Sequence, residues 1–282
     1  MTVAVGKRHP GGRSAPPGDD PAVVSRGNDP PYPPGAPQGH PGPAGAAPSG
    51  EAVSPSLTTA ALAALTGVRD PELDEPVTAL GFVASCAVSR DGRAVVRLRL
   101  PTYFCAPNFA FLMVADAYDA VTGVQGVTSA EVILEDHFAS DAINAGVAAR
   151  TGFATTFKGE ATAELGDLRA QFLRKAVMAG TDLVCRPLAA AGATPAELLV
   201  LTLGEVPASP ELARLRQRRA ELGLPAGDHA PLLIDPQTGE RIDAAAVPLH
   251  LRKARVTRAG IEANTSICSG MLRVRYPAGW TT

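Results

Sequence analysis

The distribution of chain breakers constrains this sequence more than any other feature. Residues 1–56 hold 13 of the 26 prolines and 10 of the 28 glycines. Stretches such as NDPPYPPGAPQGHPGPAGAAPSG carry few bulky apolar groups, so they bury too little surface to offset the entropy of ordering them. Residues 1–56 are expected to form a disordered, partly polyproline-like tail, with a docking peptide for a proline-recognition module as the alternative. A foldable body of about 225 residues remains, and 45% hydrophobic content gives it material for a core.

Charge and cysteine content narrow the class. A net charge of -2 and an isoelectric point near 6.2 argue against a general nucleic-acid binder. No stretch reaches the apolar length of a membrane span, and the N-terminus lacks the apolar run of a secretory signal, so a cytoplasmic protein is expected. Four cysteines in 282 residues make no disulfide framework. The charge is uneven: residues 57–138 carry 10 acids and 5 bases, whereas residues 139–282 carry 14 acids and 17 bases. A small acidic domain over 57–138 is expected, with a more basic extension over 139–282 packed beside it.

Periodicity in 57–138 predicts the order α-β-β-α-β. SLTTAALAALTGV places Ala61, Leu62 and Leu65 on one helical face, with Ser56 or Thr58 as N-cap. GFVASCAV alternates Phe82, Ala84, Cys86 and Val88 on one side of a strand. AVVRLRL sets Val96, Leu98 and Leu100 against Arg97 and Arg99, and Asp91-Gly92 between the two favours a hairpin. NFAFLMVADAYDAV is a second helix, and TSAEVIL a third strand. The fold class is α+β: a small sandwich followed by a mainly helical extension. In that extension ASDAINAGVAA and EATAELGDLRAQFLRKAVMA read as helices, with Pro187 ending or kinking whatever crosses it. Ser209 caps a helix that stops at Gly223, and PLLIDPQTGERI reads as a hairpin. The basic stretch from His250 to Tyr276 fits no single period.

Two loops carry candidate chemistry. In LPTYFCAPN, Cys105 lies just ahead of a helix start, where unpaired backbone N–H groups favour a thiolate, and the Thr102 hydroxyl is in reach of a neighbouring sulfur. A small buried cysteine in a turn is the plainer alternative. In RDPELDEP, Asp70, Glu72, Asp74 and Glu75 offer hard oxygen ligands or a general base, or else form a solvated turn with an Asx cap. Cys86 and Cys185 read as core residues, while Cys268 sits among polar and flexible groups. His137, beside Glu135 and Asp136, is either an iron ligand or a structural cap after a strand; His250 reads as a packing or capping histidine. The absence of any C-x-x-C excludes local zinc-finger and ferredoxin sites. Six bases in the last 31 residues, with only Tyr276 and Trp280 as aromatics, suit packing against acidic surfaces better than nucleic acid.

Taken together, DPEL (70–73), LGFV (80–83), a strand ending in LPTYFCAP (100–107), a helix and the turn Gly126-Val127 resemble the metal–sulfur cluster assembly family. That family includes an accessory protein of phenylacetyl-CoA oxygenase and a component of the cytosolic iron–sulfur targeting complex. The resemblance covers 57–138 and implies functional positions at Asp70, Glu72, Thr102 and Cys105, with Cys105 as the metal-binding thiol. It implies a non-enzymatic maturation factor that holds iron or an iron–sulfur cluster transiently for a client metalloprotein. The long extension resembles that of relatives serving binuclear-iron monooxygenases, and the small domains of the family suggest a homodimer. Ala106 departs from the family pattern, in which proline follows the cysteine directly. The competing expectations are a metal-free assembly chaperone for part of an oxygenase and an enzyme with Cys105 as nucleophile and His137 as base.

Overall fold

A computed structural model describes residues 52–161 and 163–277. The tail expected over 1–56 falls outside the described residues as far as residue 51. Its last residues are part of the folded body: Val53 bridges to Ser89, and Ser54 N–H donates to Val88 O at 2.7 Å. Helix α1 spans Pro55–Leu65, with Pro55 supplying a preset φ in the first turn. Its N-cap is Ser54, not Ser56 or Thr58, and the Thr58 hydroxyl instead accepts from Val88 N–H at 3.0 Å. Ala61 and Leu65, one turn apart, face the core with Val68. Leu62 sits a helical step round from Ala61 and is 39% exposed, so it does not share that face as expected. A short helix α2, Val77–Leu80, closes on Gly81 at φ +84; four residues are too few to leave a periodic signal.

Strands β1 (Val83–Val88) and β2 (Arg93–Arg99) form the expected hairpin. Gly92, at φ +88, makes its turn, and an added Cβ there would lie 2.2 Å from Gly126 O. Helix α3 (Pro107–Thr122) then crosses over to β3 (Ser129–Glu135), which pairs parallel to β2 in the sheet order β1-β2-β3. The β1 alternation is broken by a register shift between Val83 and Ser85, so consecutive Phe82 and Val83 are both buried. Cys86 stays on the inner side, half-buried against the core. On β2, Val96 and Leu98 are buried, followed by Leu100, while Arg97 and Arg99 both bond Glu135 of β3, at 2.8 and 2.7 Å.

The remaining described residues are mainly helical. Helix α4 (Ser140–Ala148) packs Ile143 and Val147 into the core beneath the sheet. After the single turn α5 (Phe153–Thr156) comes α6 (Gly166–Ala190), which begins six residues later than the sequence suggested. Pro187 lies inside α6 without ending it, because the one bond it cannot donate falls in the last turns. Helix α7 (Pro195–Val200) carries a capping box from Thr194 and Glu197. Helix α8 (Pro210–Glu221) has the expected Ser209 cap, with Leu212 N–H at 3.1 Å, and stops before Gly223 at φ +69. The expected hairpin at 231–242 reduces to one bridge, Ile234 with Arg241, around a tight turn.

The ambiguous basic stretch is one helix, α9 (Val247–Arg275), with Tyr276 as its C-cap. Its period was illegible because it serves two cores. Val247 belongs to the core shared by α6, α7 and α8, whereas Leu272 belongs to the core under the sheet. Arg219 anchors the first of these from within: wholly buried, it donates to the carbonyls of Pro231 and Leu232 at 2.8 and 2.6 Å. Among the described residues no helix is long and apolar enough to cross a membrane.

Candidate functional site

The loop between β2 and α3 presents Cys105 two residues before the helix. Ala106 is the N-cap of α3 and Pro107 its first residue, the position where a missing N–H costs nothing. Thr102 Oγ1 lies 3.3 Å from Cys105 Sγ, the contact anticipated from their spacing. Beyond them Tyr103, Phe104 and Phe138 form a cluster of half-exposed rings, with centroids 5.0 to 6.4 Å apart. Tyr103 and Phe104 stand between Thr102 and Cys105 in the chain and Phe138 follows His137, and none of the three was picked out from the sequence. The only signal was their bulk in segments that otherwise read as loop.

His137 holds this loop in place. It is 3% exposed, its Nδ1 accepts from Ala139 N–H at 3.2 Å, and its Nε2 lies 2.7 Å from Cys105 O. Because Nδ1 must accept, the ring proton sits on Nε2 and is donated to the carbonyl. Burial, the largest cause, pushes the imidazole pKa down, and Arg275 adds to this. Of its two expected roles, His137 fills that of structural cap: both ring nitrogens are engaged, and its contact with Cys105 is to the carbonyl rather than the sulfur.

The acidic loop is not a free carboxylate cluster. Asp70 is 8% exposed, and its Oδ1 accepts from Glu72 N–H and Leu73 N–H at 2.9 and 2.8 Å. That is the Asx cap foreseen for this turn, but buried rather than solvated. Burial pushes the Asp70 carboxyl up to about 6, against the lowering effect of the two N–H bonds. Asp74, in left-handed conformation at φ +52, meets Arg218 Nε at 2.6 Å, while Arg69 donates to its carbonyl. Glu75 meets Arg214 at 3.0 Å. Arginines of α8, which sequence reasoning passed over, therefore engage two of the four carboxylates. Glu72 receives Asn264 Nδ2 of α9 at 3.3 Å.

Helix α9 brings the two loops into one neighbourhood. Arg275 donates to Leu100 O at 3.1 Å and to Asp136 O, and Tyr276 Oη donates to Asp136 at 3.0 Å. Cys268, on the same helix, packs against the core that Cys105 also touches. Its thiol is pushed up to about 11 by burial first, then by Asp70, Cys105 and Glu72. Cys86, on β1, packs against that same core, and Cys185 belongs to the core shared by α6, α7 and α8; burial pushes their thiols up to about 11 and about 12. Among the described residues no three histidine, cysteine or carboxylate side chains already stand together as a metal cage.

Residues 58–132 match the family model described as iron-sulfur cluster assembly protein. No curated protein and no solved structure matches the chain.

Proposed function

We propose that a chain whose residues 58–132 are an iron–sulfur cluster assembly domain works as a maturation factor, carrying iron or a cluster on Cys105 to a client metalloprotein without turnover of its own. The observation that carries this reading is the Thr102–Cys105 pair, 3.3 Å apart in the loop before α3, within the family match. A thiolate is a soft ligand for iron, and the threonine hydroxyl is placed to donate to it when the metal leaves. Asp70 and Glu72 add carboxyl oxygens on the acidic loop, donors that suit a cation rather than an anion. The α-helical extension is the part of the chain available to recognise the client, with a component of a binuclear-iron monooxygenase as the client class.

The test is iron and acid-labile sulfide per chain after strictly anaerobic purification, with wild type and Cys105→Ser side by side. Stoichiometric iron in wild type, lost in the variant, is the expected result. No metal in either protein would overturn the carrier role. It would favour a metal-free assembly chaperone, for which the Cys105→Ser variant would still rescue client solubility.

A further inference from the structure

One face of α9 crosses both loops of the candidate site. Asn264 reaches Glu72 at 3.3 Å, and Arg275 reaches the carbonyl of Leu100, two residues before Thr102, at 3.1 Å. Between them Leu272 is 5% exposed in the core under the sheet. Positions 264, 268, 272 and 275 follow at spacings of three and four, which puts them on one side of the helix. Cys268 is thus one turn, about 6 Å along the axis, beyond Asn264 and one turn before Leu272. It is half-buried on the core that Cys105 and Cys86 also touch, and unlike Cys86 it lies on the helix face whose neighbouring turns contact Glu72 and Leu100, in the segments that carry Asp70 and Cys105.

We propose that Cys268 is a second sulfur ligand of the site, so that Cys105 and Cys268 of one chain together bind a single thiophilic divalent cation. This rests on the carrier function proposed above, with iron(II) as the cargo. A single thiolate holds such an ion weakly and would need a second copy of the chain to supply another sulfur. Two thiolates from one chain remove that requirement, and each releases its proton to solvent as the cation binds. Two sulfurs also leave coordination positions open, which transfer to a client requires. The helical extension then has a chemical as well as a recognition role, since its last helix completes the ligand pair.

The probe is cadmium(II), titrated into the reduced full-length protein while the sulfur-to-metal charge-transfer band is followed. Wild type, Cys105→Ser, Cys268→Ser and Cys86→Ser are compared. The expected result is about half the wild-type band per bound cadmium in either site variant, with affinity roughly tenfold or more weaker, and no change in Cys86→Ser. A Cys268→Ser protein that matches wild type, while Cys105→Ser loses the band, would overturn this inference and leave the carrier function standing. No sulfur band in wild type would overturn both. A measurement on wild type alone guards against a variant that fails to fold. Phenylarsine oxide condenses with two adjacent thiols, releasing one water, and one equivalent should protect Cys105 and Cys268 together from alkylation. Protection of neither, or of one alone, would overturn the pairing.

Discussion

His137 donates its Nε2 proton to the carbonyl oxygen of Cys105 across 2.7 Å, tying the end of β3 to the loop before α3. The backbone around the candidate thiol is therefore held by a buried neutral imidazole. The loop's integrity then depends on that ring staying neutral.

Acidification should loosen this tie. The folded pKa of His137 lies below its ordinary value because burial disfavours the cation. The unfolded chain then binds more protons through this window, so the contribution is complete above the ordinary histidine pKa and is lost as pH falls below it. Comparing urea unfolding of wild type and His137→Gln, the advantage of wild type should shrink from pH 7 to pH 5. An advantage constant with pH would show that His137 is not held neutral.

Asp70 should behave in the opposite sense. Its folded pKa of about 6 lies above the ordinary aspartate value of 3.8. The folded state holds the extra proton, so stability is greatest below the ordinary value and falls as pH rises through about 6. Asp70→Asn keeps an oxygen for the Glu72 and Leu73 N–H groups but does not titrate. Relative to that variant, wild type should lose roughly 2 kcal/mol between pH 4 and pH 7. Parallel stability curves for the two proteins would contradict this.

Arg218 and Asp74 form the tightest link between α8 and the acidic loop, at 2.6 Å with the arginine side chain 3% exposed. Arg218→Met strands the Asp74 carboxylate, whose pKa burial already raises. It should cost about 3–5 kcal/mol. Asp74→Asn in the same chain should recover part of that loss. Additive losses in the double-mutant cycle would show that the pair is not coupled.

Gly92 should tolerate no side chain. A Cβ there meets Gly126 O at 2.2 Å, backbone against backbone, at φ +88. Gly92→Ala is expected to cost about 2–4 kcal/mol from conformational strain and overpacking together. A melting temperature within a degree of wild type would show that the two turns can separate.

Much of the small domain was legible because its signals are local. The Asp91-Gly92 turn, the alternation on β2 and the spacing of Thr102 and Cys105 each depend on a few adjacent residues. The errors also have local causes: a one-residue bulge in β1 shifted its alternation, and Leu62 lay one helical step off the buried face. The α8 arginines could not be assigned, because an arginine that clamps a loop 144 residues away in sequence looks like one facing water.

By itself the sequence determined the order of the strands and the two longer helices of the small domain and the loop that places Cys105 before a helix, since hydrogen bonds and side-chain periods within a few residues set both, whereas at Asp70 it offered an Asx cap only as one alternative. Tertiary structure alone decided which carboxylates are engaged, which His137 nitrogen carries the proton, and that Cys268 lies in the neighbourhood of Cys105. Those outcomes depend on burial and on contacts between distant segments, which arise only when the chain packs.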